Sequence, residues 1–261
     1  MNSRILRRGV VLVDKPKGMT SFDVVEHVRK TFGIKKAGHT GTLDPNVTGL
    51  MLIALEESRK AMPVLVGLDK EYVGKMLLHV NVNNEAIQRT FRKFTGEIVQ
   101  KPPVKSRVAR VERKRKIHSL NILRIRGREI TFEVKCEAGT YIRKLVHDIG
   151  QRIGCGAHMT ELRRTKVGPF SVKESIELEK LSEKNIVRLE KILERIKLKQ
   201  ITVKDHAVPK VRNGSPVFSE WIIKRDRTKE NEIVGIFNKN KEIIALGKSF
   251  GDKVKTDRVF N

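Results

Sequence analysis

Residues 36–49 are the part of this chain with the fewest ways to fold. The stretch KAGHTGTLDPNVTG contains three glycines, three threonines and one proline, and its apolar residues follow neither a helical nor a strand period. We therefore predict a single loop between packed elements. Loops of this composition, when a rigid scaffold holds them, often carry functional residues.

The residues before this loop predict a strand followed by a helix. Residues 9–13 form a continuous apolar run, and the turn signal KPKG at residues 15–18 closes it. Thr20 and Asp23 have the spacing of a helix capping box, and Gly33 lies where that helix should end.

The remaining sequence predicts an α+β protein with two domains. Short apolar alternations predict strands at 72–80, 120–125 and 130–134, with helices at 85–94 and after Gly139-Thr140. A charged stretch predicts a linking helix at about 182–199, and residues 200–261 return to strands and turns. We expect a mixed, mainly antiparallel sheet with flanking helices in residues 1–199, and a small β-barrel-like domain in residues 200–261.

The charge of the chain predicts a polyanionic partner. There are 55 lysines and arginines against 30 acidic residues, which gives a formal net charge of +25. Such a field attracts nucleic acid through its phosphates. A solubilising surface or adaptation to high temperature is the alternative, although thermal adaptation usually raises glutamate together with lysine. Residues 101–116 hold eight basic residues and one acidic, which is typical of an RNA backbone contact or a solvated face.

Several kinds of protein are disfavoured by the sequence. There is no run of eighteen apolar residues to span a membrane and no cleavage-site pattern of a signal peptide. Cys136 and Cys155 are far apart and are expected to be reduced and inert in a cytoplasmic protein. The sequence contains neither clustered Cys and His ligands nor a phosphate-binding glycine loop.

Asp44 is the first candidate for chemistry. It is the sole carboxylate between Glu26 and Glu56, and Pro45 stiffens the turn behind it. A carboxylate on a rigid, glycine-flanked loop can approach a substrate closely as a nucleophile or a base. An Asp-Pro step is also an ordinary turn-former.

Other candidates also have ordinary interpretations. Arg143 follows GTYI at the start of a helix and is placed to pair with a buried carboxylate, whose pKa it would lower. Tyr72 lies near a strand start, where its ring would stack on an extruded base. Leu162 precedes the guanidinium groups of Arg163 and Arg164, which suit phosphate binding. Each fits core packing or a solvated charge equally well, and spacing alone does not bring them into one site.

Four segments have the order and spacing of a known enzyme family. They are GVVLVDKPKGMTSFDVV, KAGHTGTLDPNVTGLM, KEYVGKM and EAGTYIRKLVHDIGQRIGCGAHMTELRRTKVGPF. The chain resembles the TruB/dyskerin family of pseudouridine synthases through these specific motifs, over nearly its whole length from Gly9. The later segments ITVKDHAVPKVRNGSPVF, NEIVGIFNKNKEIIALGKSF and DRVF resemble a PUA domain, the small β-barrel RNA-binding module of that family.

The resemblance implies a site and a reaction. It implies that Asp44 attacks the target nucleotide, that Tyr72 stacks on the flipped uracil and assists proton removal from C5, and that Arg143 pairs with the aspartate. The glycosidic bond breaks, the uracil rotates and C5 bonds to the ribose, without metal or organic cofactor. The substrate-binding positions that it implies are His39, Leu162, Lys15, Tyr141 and Arg163.

The segments around the site favour the guide-dependent branch of the family. The chain passes from Val80 to the helix at Glu85 without the acidic, threonine-rich insertion of stand-alone enzymes, and residues 100–106 lead into a short basic strand. This implies an H/ACA guide RNA, a uridine-containing substrate RNA and small accessory proteins as partners, in an archaeal cytoplasm. Only eight residues precede Gly9, so we expect a trimmed member. A stand-alone tRNA T-arm pseudouridine synthase and a catalytically idle RNA-binding scaffold are the alternatives.

Overall fold

A mixed β-sheet forms the larger unit of the computed structural model, which describes residues 6–102, 109 and 111–260. The strands are β1 Gly9–Lys15, β2 Ala37–His39, β3 Thr48–Leu55, β4 Lys70–Leu78, β5 Gly96–Gln100, β6 Arg113–Arg126, β7 Glu129–Cys136, β8 Ala157–Val167, β9 Phe170–Ser171, β10 Ile176–Glu177 and β11 Ile186–Arg188. Their order in the sheet is β10-β1-β3-β8-β4-β7-β6-β5, with β2, β9 and β11 paired outside this path. Most pairs are antiparallel, and β1–β10 and β3–β8 are parallel.

Helices flank this sheet. Where the sequence predicted helices, the structure has α1 Ser21–Phe32, α3 Asn84–Lys93 and α4 Ile142–Ile153, and it adds the short helix α2 Met62–Val66, which the sequence did not predict. The capping box of α1 forms between Thr20 and Asp23, and Gly33 ends the helix at φ 62°. That left-handed backbone is open to glycine at little cost, which explains the stop.

The C-terminal residues build a second, five-stranded sheet. Its order is β13-β12-β14-β15-β16, with β12 and β14 parallel. The strands are β12 Gln200–Val203, β13 Ile222–Arg225, β14 Ile233–Phe237, β15 Ile243–Phe250 and β16 Lys253–Val259, and a short helix α6 spans Val208–Arg212. The predicted α+β class, with a small β-rich C-terminal unit, is confirmed.

The two sheets share a hydrophobic core. Leu12 and Leu52, from β1 and β3, belong to the same buried cluster as Phe237, Leu246 and Phe260 from the C-terminal sheet. This apolar contact fixes the small unit against one face of the large sheet. The division of the chain into domains at residues 1–199 and 200–261 therefore stays a prediction.

Two predictions about secondary structure were wrong in extent. The linking helix at about 182–199 shrinks to α5, Leu189–Arg195, because Ile186–Arg188 instead pairs with β1 as an edge strand and satisfies its backbone groups there. The loop at residues 36–49 is also shorter, since Ala37–His39 and Thr48–Leu55 pair as β2 and β3. Within the described residues, no helix is long and apolar enough to cross a membrane.

Candidate active site

Asp44 lies at the exposed tip of a loop whose flanks are buried. Leu43 and Val47 anchor the loop in the core, and the Ser21 hydroxyl accepts a hydrogen bond from the Leu43 amide at 2.8 Å. The amide of Gly18 donates to the Pro45 carbonyl at 2.9 Å. The backbone around Asp44 is thus fixed while its carboxylate reaches solvent.

Arg143 forms an ion pair with Asp44. The guanidinium projects from the first turn of α4 and donates from Nη2 to the Asp44 carboxylate. The side chains of Arg143 and Asp44 are 64% and 50% exposed. The expected pairing is therefore present, but the expectation of a buried carboxylate is wrong: α4 places the pair at the mouth of the site, where water screens it.

The start of α4 is held by a buried glutamine. The amide of Tyr141 donates to Oε1 of Gln100 at 2.9 Å, and Nε2 of Gln100 donates back to the Tyr141 carbonyl at 3.1 Å. This bidentate contact fixes the backbone two residues before Arg143. The sequence did not predict this role of Gln100, because a single polar residue at a strand end carries no distinguishing signal.

Tyr72 and Leu162 belong to the same buried cluster as Leu43, the residue before Asp44, and form the inner wall of the site. They lie on the neighbouring antiparallel strands β4 and β8, and each is 8% exposed. Burial raises the pKa of the Tyr72 phenol, while the Arg164 guanidinium opposes that effect. The wall is apolar except at the phenol oxygen.

Lys15 is a structural cation and not an accessible substrate contact. Its side chain is fully buried, and Nζ donates to the carbonyls of Pro16 at 2.9 Å, Met19 at 2.6 Å and Pro45 at 3.1 Å. The substrate-binding assignment for Lys15 is therefore wrong in this structure. The ammonium instead ties the turn after β1 to the residue that follows Asp44.

Arg163 is likewise occupied by protein groups. Its guanidinium makes a bidentate ion pair with Asp14, at 3.0 and 2.5 Å, and donates to the Thr48 hydroxyl at 3.3 Å. Strand alternation points it away from the face that carries Leu162. The two terminal nitrogens of Arg163 both donate to Asp14, so the structure gives no support to the predicted contact of Arg163 with the substrate.

Arg164 and Lys70 place two buried positive charges behind the loop. Nε of Arg164 donates to the Leu50 carbonyl at 2.7 Å, and Nη2 donates to the Gly41 carbonyl at 3.1 Å. Nζ of Lys70 donates to the carbonyls of Val66 and Leu68, both at 2.6 Å. Burial first, and then the nearby Arg164 charge, lower the pKa of Lys70 to about 8. The sequence suggested only phosphate binding for Arg164. Arg164 lies two residues after Leu162, however, and alternate residues of a strand share a face, so the spacing already placed Arg164 on the buried face with Leu162.

His39 faces this same region from β2. Its pKa is lowered by burial and then by the Arg164 charge, so the imidazole is neutral at pH 7. Among the described residues, neither His39 Nδ1 nor the buried Thr40 hydroxyl has a hydrogen-bond partner. Both atoms are buried, so neither is open to a ligand in this structure.

Comparison with known proteins assigns this site to a family. Residues 29–142 match the model for the TruB family pseudouridylate synthase N-terminal domain, and residues 143–202 match that for the tRNA pseudouridylate synthase B C-terminal domain. The probable tRNA pseudouridine synthase B of Methanopyrus kandleri is 41% identical over 258 residues, covering 93% of this chain and 76% of the relative. This chain belongs to the TruB family of pseudouridine synthases. The corresponding protein of Methanocaldococcus jannaschii is also 41% identical, over 94% of this chain and 77% of that relative.

Solved structures extend the similarity to nearly the whole chain. A crystal structure of a Cbf5-Nop10-Gar1 complex matches with a TM-score of 0.90 and 37% identity, over 99% of this chain and 87% of that chain. A structure of an H/ACA RNP bound to a substrate RNA containing 2'-deoxyuridine matches with a TM-score of 0.87 and 36% identity, over 99% and 87%. The TruB-family fold thus includes the C-terminal sheet.

As a TruB-family enzyme, this protein is an RNA pseudouridine synthase, an isomerase. The site offers such a reaction an accessible carboxylate, a cation beside it and a mostly apolar wall with one phenol. The backbone on both sides of this carboxylate is held in place, since buried contacts of the loop fix Leu43 and Pro45. Rigid positioning of this kind contributes to rate because the reacting groups need not be ordered first.

Proposed function

We propose that this enzyme isomerises selected uridines in RNA within a guide ribonucleoprotein, with Asp44 as the nucleophile, Tyr72 as the group that receives the C5 proton and Arg143 as the cation that orients Asp44. The observation that carries the assignment of residues is the solvent-open Asp44–Arg143 pair, which lies at the mouth of a site walled by Tyr72 and Leu162.

The exposure of Asp44 supports a flipped nucleotide as substrate. A base inside a helical stem cannot reach the carboxylate, so it has to leave the stack at a cost of a few kcal/mol.

The structural neighbours support the guide-dependent branch. One of them is a complex with Nop10 and Gar1, and another is an H/ACA RNP that holds a substrate RNA. We propose the same kinds of partner for this chain: two small proteins, a guide RNA and a substrate strand. The net charge of +25 suits an assembly with two RNA strands.

The C-terminal unit, residues 200–261, is proposed as a PUA-type RNA contact. Phe218 is 40% exposed and packs edge-on against Trp221, with ring centroids 5.3 Å apart. Lys210 lies over the Trp221 ring, with Nζ 4.8 Å from the centroid. Aromatic surface beside a cation is suited to unpaired bases and their phosphates. The basic run that begins at Lys101 lies partly outside the described residues and stays a prediction, as does a cytoplasmic location.

A stand-alone tRNA enzyme is the second candidate, because the curated relatives carry the name tRNA pseudouridine synthase B. The deciding assay is tritium release from C5-labelled RNA by the purified protein with partner proteins, using a substrate strand with its guide, the same strand with a scrambled guide, and a tRNA transcript. Release only with the matching guide supports the proposal, and equal release from tRNA without guide supports the alternative. No release from any RNA would leave the idle scaffold.

A further inference from the structure

Arg164 is the largest fully buried side chain of the described residues, and it is only 1% exposed. Its guanidinium has no carboxylate within ion-pair distance in the part of the chain that the structure describes. A buried charge without an opposite charge is costly, so a fold that keeps one needs a reason for it. Besides the Leu50 carbonyl, it contacts the loop that carries Asp44 and lies opposite Tyr72 on β4.

Arg164 holds the Asp44 loop at both ends. At the first end, Nη2 donates to the Gly41 carbonyl, and a Cβ at residue 41 would lie 3.3 Å from Nη1. At the second end, Gly49 pairs with Arg164 in the parallel β3–β8 ladder, and a Cβ there would lie 2.2 Å from the Arg164 carbonyl oxygen. Because Gly41 and Gly49 have no Cβ, they leave room for the side chain and the backbone of Arg164 on either side of Asp44.

Arg164 also lies directly across from Tyr72 in the antiparallel β4–β8 ladder. The guanidinium charge acts on the phenol and opposes the effect of burial on its pKa. Toward this guanidinium the phenol oxygen can only accept, because arginine has donors only. The positive charge favours the phenolate form, whereas burial and the Cys136 thiol on β7 disfavour it.

We propose that Arg164 is a positioning residue for the isomerisation, in which one guanidinium holds the Asp44 loop and the Tyr72 hydroxyl in a fixed relation. The inference rests on the proposed function, in which Tyr72 receives the C5 proton. In that step the C5–H bond breaks, its electron pair re-forms the C5–C6 double bond while the C6–N1 double-bond pair moves to N1, N1 takes a proton from solvent, and the C5 proton passes to the oxygen of the Tyr72 phenolate. Arg164 supports this step by favouring the form of Tyr72 that accepts a proton.

A spectroscopic test of this inference does not depend on turnover. The chain has two tyrosines, so in a Tyr141→Phe background the ultraviolet titration of phenolate reports Tyr72 alone. Arg164→Gln removes the charge but keeps an amide donor, and we expect it to shift the Tyr72 titration to higher pH. Arg164→Lys restores a positive charge and should bring the titration part of the way back. Identical titrations in all three proteins would overturn the inference.

The kinetic test uses the same substitutions in otherwise native protein, assembled with its partners and RNA. Arg164→Gln should lower kcat at pH 7 by about tenfold or more, with KM within about twofold, because binding groups are untouched. The rising limb of the profile of kcat against pH should move to higher pH, and Arg164→Lys should recover part of both effects. A loss that is the same at every pH, and the same for Gln and Lys, would mean that Arg164 is only a structural anchor.

A second variant keeps the test valid if Arg164→Gln does not fold. The φ of Gly41 is not positive, so alanine fits its backbone, and the new Cβ would displace Nη1 by a few tenths of an ångström. Gly41→Ala should shift the Tyr72 titration in the same direction by a smaller amount, and an unshifted titration would contradict the inference. Failure of the proposed function is a separate result, since it would show as an inactive wild-type protein whatever the Tyr72 titration shows.

Discussion

On the outer side of the site, Asp44 and Arg143 form an ion pair with side chains that are 50% and 64% exposed. On the inner side, Lys15, Lys70 and Arg164 are at most 6% exposed and donate to backbone carbonyls. The two groups are separated by a single loop. Charges in water contribute little to stability but are free to react, whereas buried cations that hold carbonyls contribute to stability and are shielded from RNA by the fold.

The largest expected effect is on turnover, at the outer pair. Asp44→Asn keeps the shape of the side chain and removes the nucleophile, so label release should fall by about 10³-fold or more. RNA affinity should stay within a few-fold. Asp148→Asn is the matched control, because Asp148 is also paired with a cation on α4, Lys144, and should keep wild-type turnover. Comparable turnover for both variants would remove Asp44 from the mechanism.

Local patterns in the sequence predicted secondary structure and the family resemblance predicted the outer pair, but neither predicted the roles of the inner cations. The strands, α1 and the capping box follow from local patterns that act over a few residues. The Asp44–Arg143 contact was expected only from the family resemblance, because 99 residues separate the two along the chain. Lys15 was misassigned because the sequence shows a lysine after a strand but not the three carbonyls, one of them 30 residues away, that surround its ammonium.

The inner group is tested most directly at Lys15. Lys15→Met should lower the free energy of unfolding by about 3 kcal/mol or more, since three carbonyls lose their donor inside the fold. Lys17→Met is the control, because Lys17 is exposed two residues further along and should change stability by less than about 0.5 kcal/mol. Chemical denaturation of both variants measures the difference. Equal stabilities would mean that Lys15 belongs with the outer charges.

Lys70 sharpens the comparison through pH. Its pKa is about 8 in the folded protein and about 10.4 in an unfolded chain, so between these values the unfolded state binds more protons. The Lys70 contribution to stability should therefore rise as pH increases from about 8 to 10.4, by about 2–3 kcal/mol at most. The difference in unfolding free energy between wild type and Lys70→Met, measured across this window, isolates the effect. Lys75→Met is the matched control for removing a lysine from β4, because Lys75 is partly exposed and paired with Glu161.

The smallest expected change in stability is at Arg143, the outer cation. A buried pair would lose about 3–5 kcal/mol when one partner is removed, but this pair is in contact with water. Arg143→Ala should therefore cost less than about 1 kcal/mol in unfolding free energy, and a double-mutant cycle with Asp44→Asn should give a coupling of the same small size. Arg163→Ala provides the contrast, because its partner Asp14 is only 24% exposed and accepts two hydrogen bonds, so the loss should be larger. A coupling above about 3 kcal/mol for Asp44 and Arg143 would place their pair with the buried charges and end the distinction between the two sides of the loop. A small coupling together with a large fall in kcat for Arg143→Ala would show instead that the outer pair is maintained for the reaction rather than for the fold.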